Sequence, residues 1–341
     1  MDKPRVDDIL KVKFERVQGE AYRGAVLDTG PEGSWCDHSV LRPAIEFDGK
    51  LFRMWFVGQT KTSDSGVPYG IYERIGLAVS DDGIRWKVAN DGRPVFGLAR
   101  PGKPDGKGVS HPFVLRSGDK YMMWYGFIDG RLGEDVGHMG SDRRVEWIGL
   151  VTSYDGIHWE QVTDEETVLD VGPLGSIDSI QATGMHVIKK DDTYIMWYGA
   201  YNGRHQIGIA TSTDGIHWEK ANGGQPVSGL IGEHVLRPSV YFDGRTYLMF
   251  YGRRHNKRWT MFAATSTDGV NWQPAWDDQP LLGPPPPDNF AFAPPTLSAR
   301  HHSVAGTRLV IQGRSLRMWY GAKGDDPQPH ERIGLMEAVL Q

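Results

Sequence analysis

Met196-Trp197-Tyr198-Gly199, then Ile207-Gly208-Ile209-Ala210, then Ser212-Thr213-Asp214-Gly215-Ile216-His217-Trp218: this stretch recurs along the chain and decides the fold. The same order is found from Met54-Trp55-Phe56 to Trp86, from Met123-Trp124-Tyr125-Gly126 to Trp159, and from Met249-Phe250-Tyr251-Gly252 to Trp272. A fifth copy begins at Met318-Trp319-Tyr320-Gly321, reaches Ile333-Gly334-Leu335 and stops. Each copy is a set of short alternating strands punctuated by an Asp-Gly turn, and repetition of such a unit is the mark of a propeller. The expected fold is all-β, a five-bladed β-propeller with four-stranded antiparallel blades.

Composition agrees. Aromatic residues make up 11% of the 341, with Gly 43 and Pro 21, which suits strands joined by many turns. The repeats run almost end to end, so residues 1–341 are expected to form one domain. A net charge of −5 carries no polyanion-binding signal, and nucleic acid is excluded as a partner. Cys36 is the only cysteine, so no intrachain disulfide exists. Met1-Asp2-Lys3-Pro4-Arg5 has no apolar signal core and no stretch is long enough to span a bilayer. No membrane association and a cytoplasmic location are therefore expected.

The fifth copy lacks an outer strand, and the N-terminus offers one. Phe14-Glu15-Arg16-Val17 matches Trp218-Glu219-Lys220-Ala221, the start of an outer strand in the third copy. The segment 11–30 is therefore expected to complete the last blade and close the ring, removing an exposed sheet edge.

Strand direction then selects a face. Inner strands start, and second strands turn into third strands, at one end of the blades; the uniform Asp-Gly hairpins lie at the other. Varied polar loops on a repetitive scaffold are where binding resides. At that mouth, inner-strand starts gather Asp37, His38 and Arg42, then Asp105, Lys107 and His111, then Asp178, then Glu233, His234 and Arg237, then Asp288, with Trp35 as a flat apolar face. Carboxylates around one pocket suit glycoside cleavage, in which one gives a proton to the leaving oxygen and another activates water or attacks carbon. The same Asp residues could instead cap turns or pair with Arg42 and Arg237. Arg42, Lys107, His111, His234 and Arg237 point to an anionic ligand, a carboxylated sugar or phosphate. No close-spaced metal-ligand motif is present, and neither metal nor cofactor is expected.

The Met-Trp-Tyr-Gly, Ile-Gly-Leu-Ala-x-Ser and Asp-Gly-Ile-His-Trp pieces resemble the five-bladed propeller glycosidases: the arabinanase/β-xylosidase, invertase/levansucrase and β-mannoside phosphorylase groups. The resemblance implies a glycoside hydrolase-like enzyme acting on a small sugar or glycoside. It implies Asp37 as nucleophile or general base and Asp178 or Glu233 as acid. Ser110-His111-Pro112 and Ala182-Thr183-Gly184 depart from the acidic motifs of those groups. Phosphorolysis, non-hydrolytic chemistry on a reused scaffold and a non-catalytic carbohydrate-binding propeller are the alternatives.

Overall fold

The computed structural model describes residues 3–60, 72–97, 108–132, 144–162, 167–255, 258–281, 305–306, 308–323 and 330–341. Each of the first four repeats folds as four antiparallel strands in chain order. In unit 1 these are Ser39–Phe47, Phe52–Thr60, Tyr72–Ser80 and Lys87–Val88. Unit 2 has Val109–Ser117, Lys120–Leu132, Arg144–Ser153 and Glu160–Gln161; unit 3 has Gln181–Lys190, Thr193–Tyr201, His205–Ser212 and Glu219–Lys220. Unit 4 has Val235–Phe242, Tyr247–His255, Arg258–Ser266 and Gln273–Pro274. A parallel bridge, Gln181 with Glu146, also joins units 2 and 3.

Unit 5 borrows its outer strand. Glu15–Val17 pairs antiparallel with Glu331–Val339, which pairs in turn with Ser315–Lys323. Val26 and Leu27 donate to the Ile333 carbonyl, so the N-terminal segment is laced onto this sheet. Residues 282–304, ahead of these strands, lie outside the described residues.

The Asp-Gly motif explains itself in the hydrogen bonds. Gly215 takes φ +78°, which an L-residue resists. Ser212 Oγ accepts from the Gly215 N–H (2.8 Å), and Asp214 Oδ1 accepts from the N–H groups of Ile216 and His217 (both 2.8 Å). Ser80/Asp82, Ser153/Asp155 and Ser266/Asp268 repeat the pattern. Removing the backbone donors' partner would leave a turn without its organiser.

The same glycine locks neighbouring units together. The buried second-strand tryptophan of one unit donates its indole N–H to the glycine carbonyl of the next: Trp55 to Gly156 (2.9 Å), Trp124 to Gly215 (3.0 Å), Trp197 to Gly269 (2.8 Å), and Trp319 to Gly83 (2.9 Å). Unit 4 has Phe250 at this position, and its neighbour unit 5 has no Asp-Gly hairpin to accept. Phe250 packs instead edge-on to Phe14 of the N-terminal segment, at 5.9 Å. Among the described residues the core divides into five clusters, each spanning two consecutive units, with one joining unit 5 to unit 1.

Candidate active site

Four inner strands carry a β-bulge at the same place. Pairing slips between Leu41 and Ala44, Ser110 and Phe113, Thr183 and His186, and Leu236 and Ser239. The bulged residues Arg42, His111, Gly184 and Arg237 all take positive φ, between 48° and 59°. Three precede a proline, which already disfavours the right-handed helical region. A left-handed non-glycine residue costs on the order of 1–3 kcal/mol, and such strain collects at functional sites. Here it turns two arginines and an imidazole into one place: Arg42, His111, Gly184 and Arg237 line one cavity of about 50 Å³ that continues along the inner strands to Ile45, Val114, His186 and Arg308.

Glutamates from third strands meet them. Glu73 Oε2 lies 2.6 Å from Arg42 Nη1, while Gln59 Nε2 donates to Glu73 Oε1 at 2.7 Å. Arg42 also donates to Ser110 Oγ. His111 Nδ1 is 3.1 Å from Ser110 Oγ, 3.2 Å from Thr183 Oγ1 and 3.8 Å from Glu146 Oε2. Burial would lower the Arg42 pKa, but Glu73, Glu146 and Glu331 together raise it. Arg237 is brought down to about 10 by burial and by Arg42, against the pull of the same three glutamates. Burial, Arg42 and Arg237 drive His111 well below the ordinary imidazole value, so it is neutral at pH 7. Serine, threonine and glutamate all address the same His111 ring nitrogen, which is not the two-sided arrangement of an acyl-transfer triad.

Arg42, His111 and Arg237 thus come together as the sequence led us to expect, but not as a bare cationic set, since three carboxylates oppose two guanidinium groups. Those carboxylates were missed. They occupy one repeat position, two residues before each Ile-Gly or its equivalent: Glu73, Glu146, His205, Trp259 and Glu331 in units 1 to 5. Stacking the repeats at that column would have found them.

Asp178 does not join the cluster. It is 1% exposed, 2.6 Å from Lys220 Nζ of the outer strand, and accepts from Tyr198 Oη and Ser176 Oγ, both at 2.9 Å. A carboxylate closed in this way by a lysine and two hydroxyls holds its loop, and the catalytic role expected of it is withdrawn. The reason is a misleading alignment: Gly172-Pro173-Leu174-Gly175-Ser176-Ile177-Asp178 repeats Gly30-Pro31-Glu32-Gly33-Ser34-Trp35-Cys36, so Asp178 matches Cys36 and not Asp37. Trp35 also differs from the open platform expected, for its ring stacks on Phe56 at 5.5 Å and its indole donates to the Gly92 carbonyl.

Asp37 is half-buried in the loop before the unit 1 inner strand; Oδ2 accepts from Gly33, and Oδ1 is buried without a hydrogen-bond partner. Glu233 is exposed on the loop before unit 4, where its backbone carbonyl accepts from Arg204. His38 meets His330 edge-on, Nδ1 to Nδ1 at 3.0 Å, and His234 Nδ1 accepts from the His205 N–H. Asp105, Lys107 and Asp288 lie outside the described residues. Among the described residues no group of three or more His, Cys, Asp or Glu side chains is arranged to hold a metal ion. No helix of the described residues is long and apolar enough to cross a membrane.

Comparison with solved structures decides the fold. A glycoside hydrolase superposes with a TM-score of 0.70 at 19% identity, covering 98% of this chain and 96% of its own. The fold is that of the propeller glycosidases. A structure from the GH130 family, described as mannoside phosphorylases containing glycoside hydrolases that target β-1,2 mannosidic linkages, gives 0.65 at 19% identity over 96% of this chain and 93% of that one. The β-1,2-mannobiose phosphorylase of Listeria innocua, in complex with β-1,2-mannobiose, gives 0.64 at 14% identity over 92% and 93%. By sequence, an uncharacterized protein of Mycobacterium tuberculosis is 27% identical over 267 residues, 75% of this chain and 82% of its own length. An A type blood N-acetyl-α-D-galactosamine deacetylase of Flavonifractor plautii is 23% identical over 86% of this chain, which spans 41% of that protein. No family model matches the chain.

Proposed function

We propose that this protein is a glycosidase-like enzyme that acts on a small sugar or glycoside at the mouth of a closed, single-domain, five-bladed ring. The ring reading rests on the N-terminal strand pairing with the last strand of unit 5 and on the five inter-unit clusters. One observation carries the chemistry: Glu73 lies 2.6 Å from Arg42 and Glu146 3.8 Å from His111, where Arg42, His111 and Arg237 line one cavity. Carboxylates crowded around buried guanidinium groups can divide into a permanent charge and a proton carrier. Glu73, tied by Arg42 and Gln59, is the fixed charge. Glu146, facing His111, is the proton carrier, with Asp37 and Glu233 contacting sugar from the loops above.

The Arg42–Glu73 pair weakens the case for a free phosphate site, because a guanidinium already bridged has less to offer a second anion. Hydrolysis is therefore preferred to phosphorolysis. The test is a disaccharide panel that includes β-1,2-mannobiose, assayed with and without inorganic phosphate. Free monosaccharide at a phosphate-independent rate is expected; a sugar phosphate formed only when phosphate is added would reverse the preference.

A second reading draws on the deacetylase relative, which matches over most of this chain. In it the same carboxylates activate water against an N-acetyl group and leave the glycosidic bond intact. Acetate released from an N-acetylgalactosaminide, with no reducing sugar, would establish it.

A further inference from the structure

The ring of residues two before each Ile-Gly is split in two. Units 5, 1 and 2 place Glu331, Glu73 and Glu146 there, whereas units 3 and 4 place His205 and Trp259 at the same register. The second half is a continuous set of flat rings. Tyr201 lies 4.5 Å from His205, His205 5.7 Å from His234 and 5.6 Å from Trp259, and His234 6.5 Å from Trp259. All four are partly exposed.

We propose that Tyr201, His205, His234 and Trp259 form a binding subsite for the non-reacting pyranose ring of the substrate, across the mouth from the carboxylates. This rests on the reading of the mouth as a sugar site and names the substrate class: a glycoside of at least two sugar rings. A pyranose presents an apolar face of C–H groups and a polar edge, and flat rings with polar handles match both. Burial, His234, Arg237 and Arg254 bring the His205 pKa down to about 4, so its imidazole is neutral at pH 7 and offers one donor and one acceptor to hydroxyls.

The subsite adjoins the carboxylate half through unit 4, where His234, which accepts from the His205 N–H, stands three residues before Arg237. Its flanks are tied down, as a preorganised site requires. Arg204 Nε donates to the Glu233 carbonyl at 2.7 Å, and Asn202 Nδ2 to the Ser176 carbonyl at 3.0 Å. The loops that carry Ser176 and Glu233 also expose Leu174 (76%) and Ile231 (46%), large apolar side chains left in water.

The test is binding, measured by saturation-transfer NMR on wild type, Trp259→Ala and Trp259→Phe. The probes are β-1,2-mannobiose, cellobiose, lactose and N,N′-diacetylchitobiose, each beside its monosaccharide. The tightest-binding disaccharide should lose affinity by about tenfold or more in Trp259→Ala, keep it in Trp259→Phe, and the monosaccharide should change by less than about twofold. Equal disaccharide binding by Trp259→Ala and wild type would overturn the proposal, as would equal losses in the Ala and Phe variants, or no binding of any disaccharide to the wild type. Trp259-dependent binding without turnover would sink the catalytic reading and leave the subsite; turnover with a Trp259→Ala variant that binds normally would do the reverse.

Discussion

The two ends of this molecule obey opposite rules. At the hairpin end, four copies of Ser-x-Asp-Gly-x-x-Trp repeat their hydrogen bonds almost to the tenth of an ångström, and the Gly N–H to Ser Oγ distance is 2.8, 2.8, 2.8 and 2.9 Å. At the mouth, equivalent positions hold Glu, Glu, His, Trp and Glu, or Arg, His, Gly and Arg. The hairpin end has one task in units 1 to 4, which is to cap its own turn and receive the neighbour's tryptophan. The mouth has one task for all the units together, so each contributes something different. Repetition therefore marks scaffold, and departure from repetition marks the candidate site.

The contrast is broken most sharply by a mouth variant that costs activity but no stability. Glu146→Gln keeps shape and removes the proposed proton carrier, so turnover should fall by about 10²- to 10⁴-fold, the usual worth of general acid–base catalysis. The melting temperature should hold. Steady-state kinetics beside calorimetry checks both, and unchanged turnover would remove Glu146 from the mechanism.

A hairpin-end variant should do the opposite. Trp197→Ala empties a fully buried site and removes one of the two indole donors to the Gly269 carbonyl, leaving Trp272, a loss of about 3–5 kcal/mol by denaturant unfolding. Phe250→Trp probes the odd seam: with no hairpin carbonyl to receive the indole, a larger ring is expected to destabilise by about 1–3 kcal/mol. Stabilisation there would mean the fifth seam works like the others.

The smallest effect is titration of the hairpin carboxylates. Burial alone would raise Asp82, but the Arg85 and Ile84 N–H groups, Ser80 and the Arg85 guanidinium bring it down to about 2. Asp155, Asp214 and Asp268 are lowered by equivalent donors. Each carboxylate thus contributes stability that is complete above its unfolded value near 4 and lost as pH falls toward 2. Solvent screening keeps each contribution small. Melting temperature should decline between pH 4 and 2, and less steeply in Asp82→Asn; identical slopes would contradict the assignment.

This division also explains what could be read from the chain. The scaffold was legible because Trp197, Gly215 and Asp214 recur at fixed spacing, and the borrowed strand was legible because Glu15 to Val17 imitates Glu219 to Ala221. Arg42, His111 and Arg237 were picked out as candidates because they lie near the starts of three inner strands. The bulge that turns them to one cavity was hidden, since alternation along a strand does not reveal a slipped register. Glu73, Glu146 and Glu331 went unseen because they sit on third strands, where the Ile-Gly pattern draws attention to packing. Asp178 misled because a loop motif gave it a carboxylate in a slot that unit 1 fills with Cys36, and its partners Lys220 and Tyr198 are distant in sequence.

The most direct test is a crystal structure of Glu146→Gln soaked with the disaccharide that binds best. The account predicts density in the mouth, with one ring against Arg42 and the substituted side chain, and the other on Trp259. Sugar bound at the hairpin end, or at the mouth but away from both the substituted position and Trp259, would contradict it.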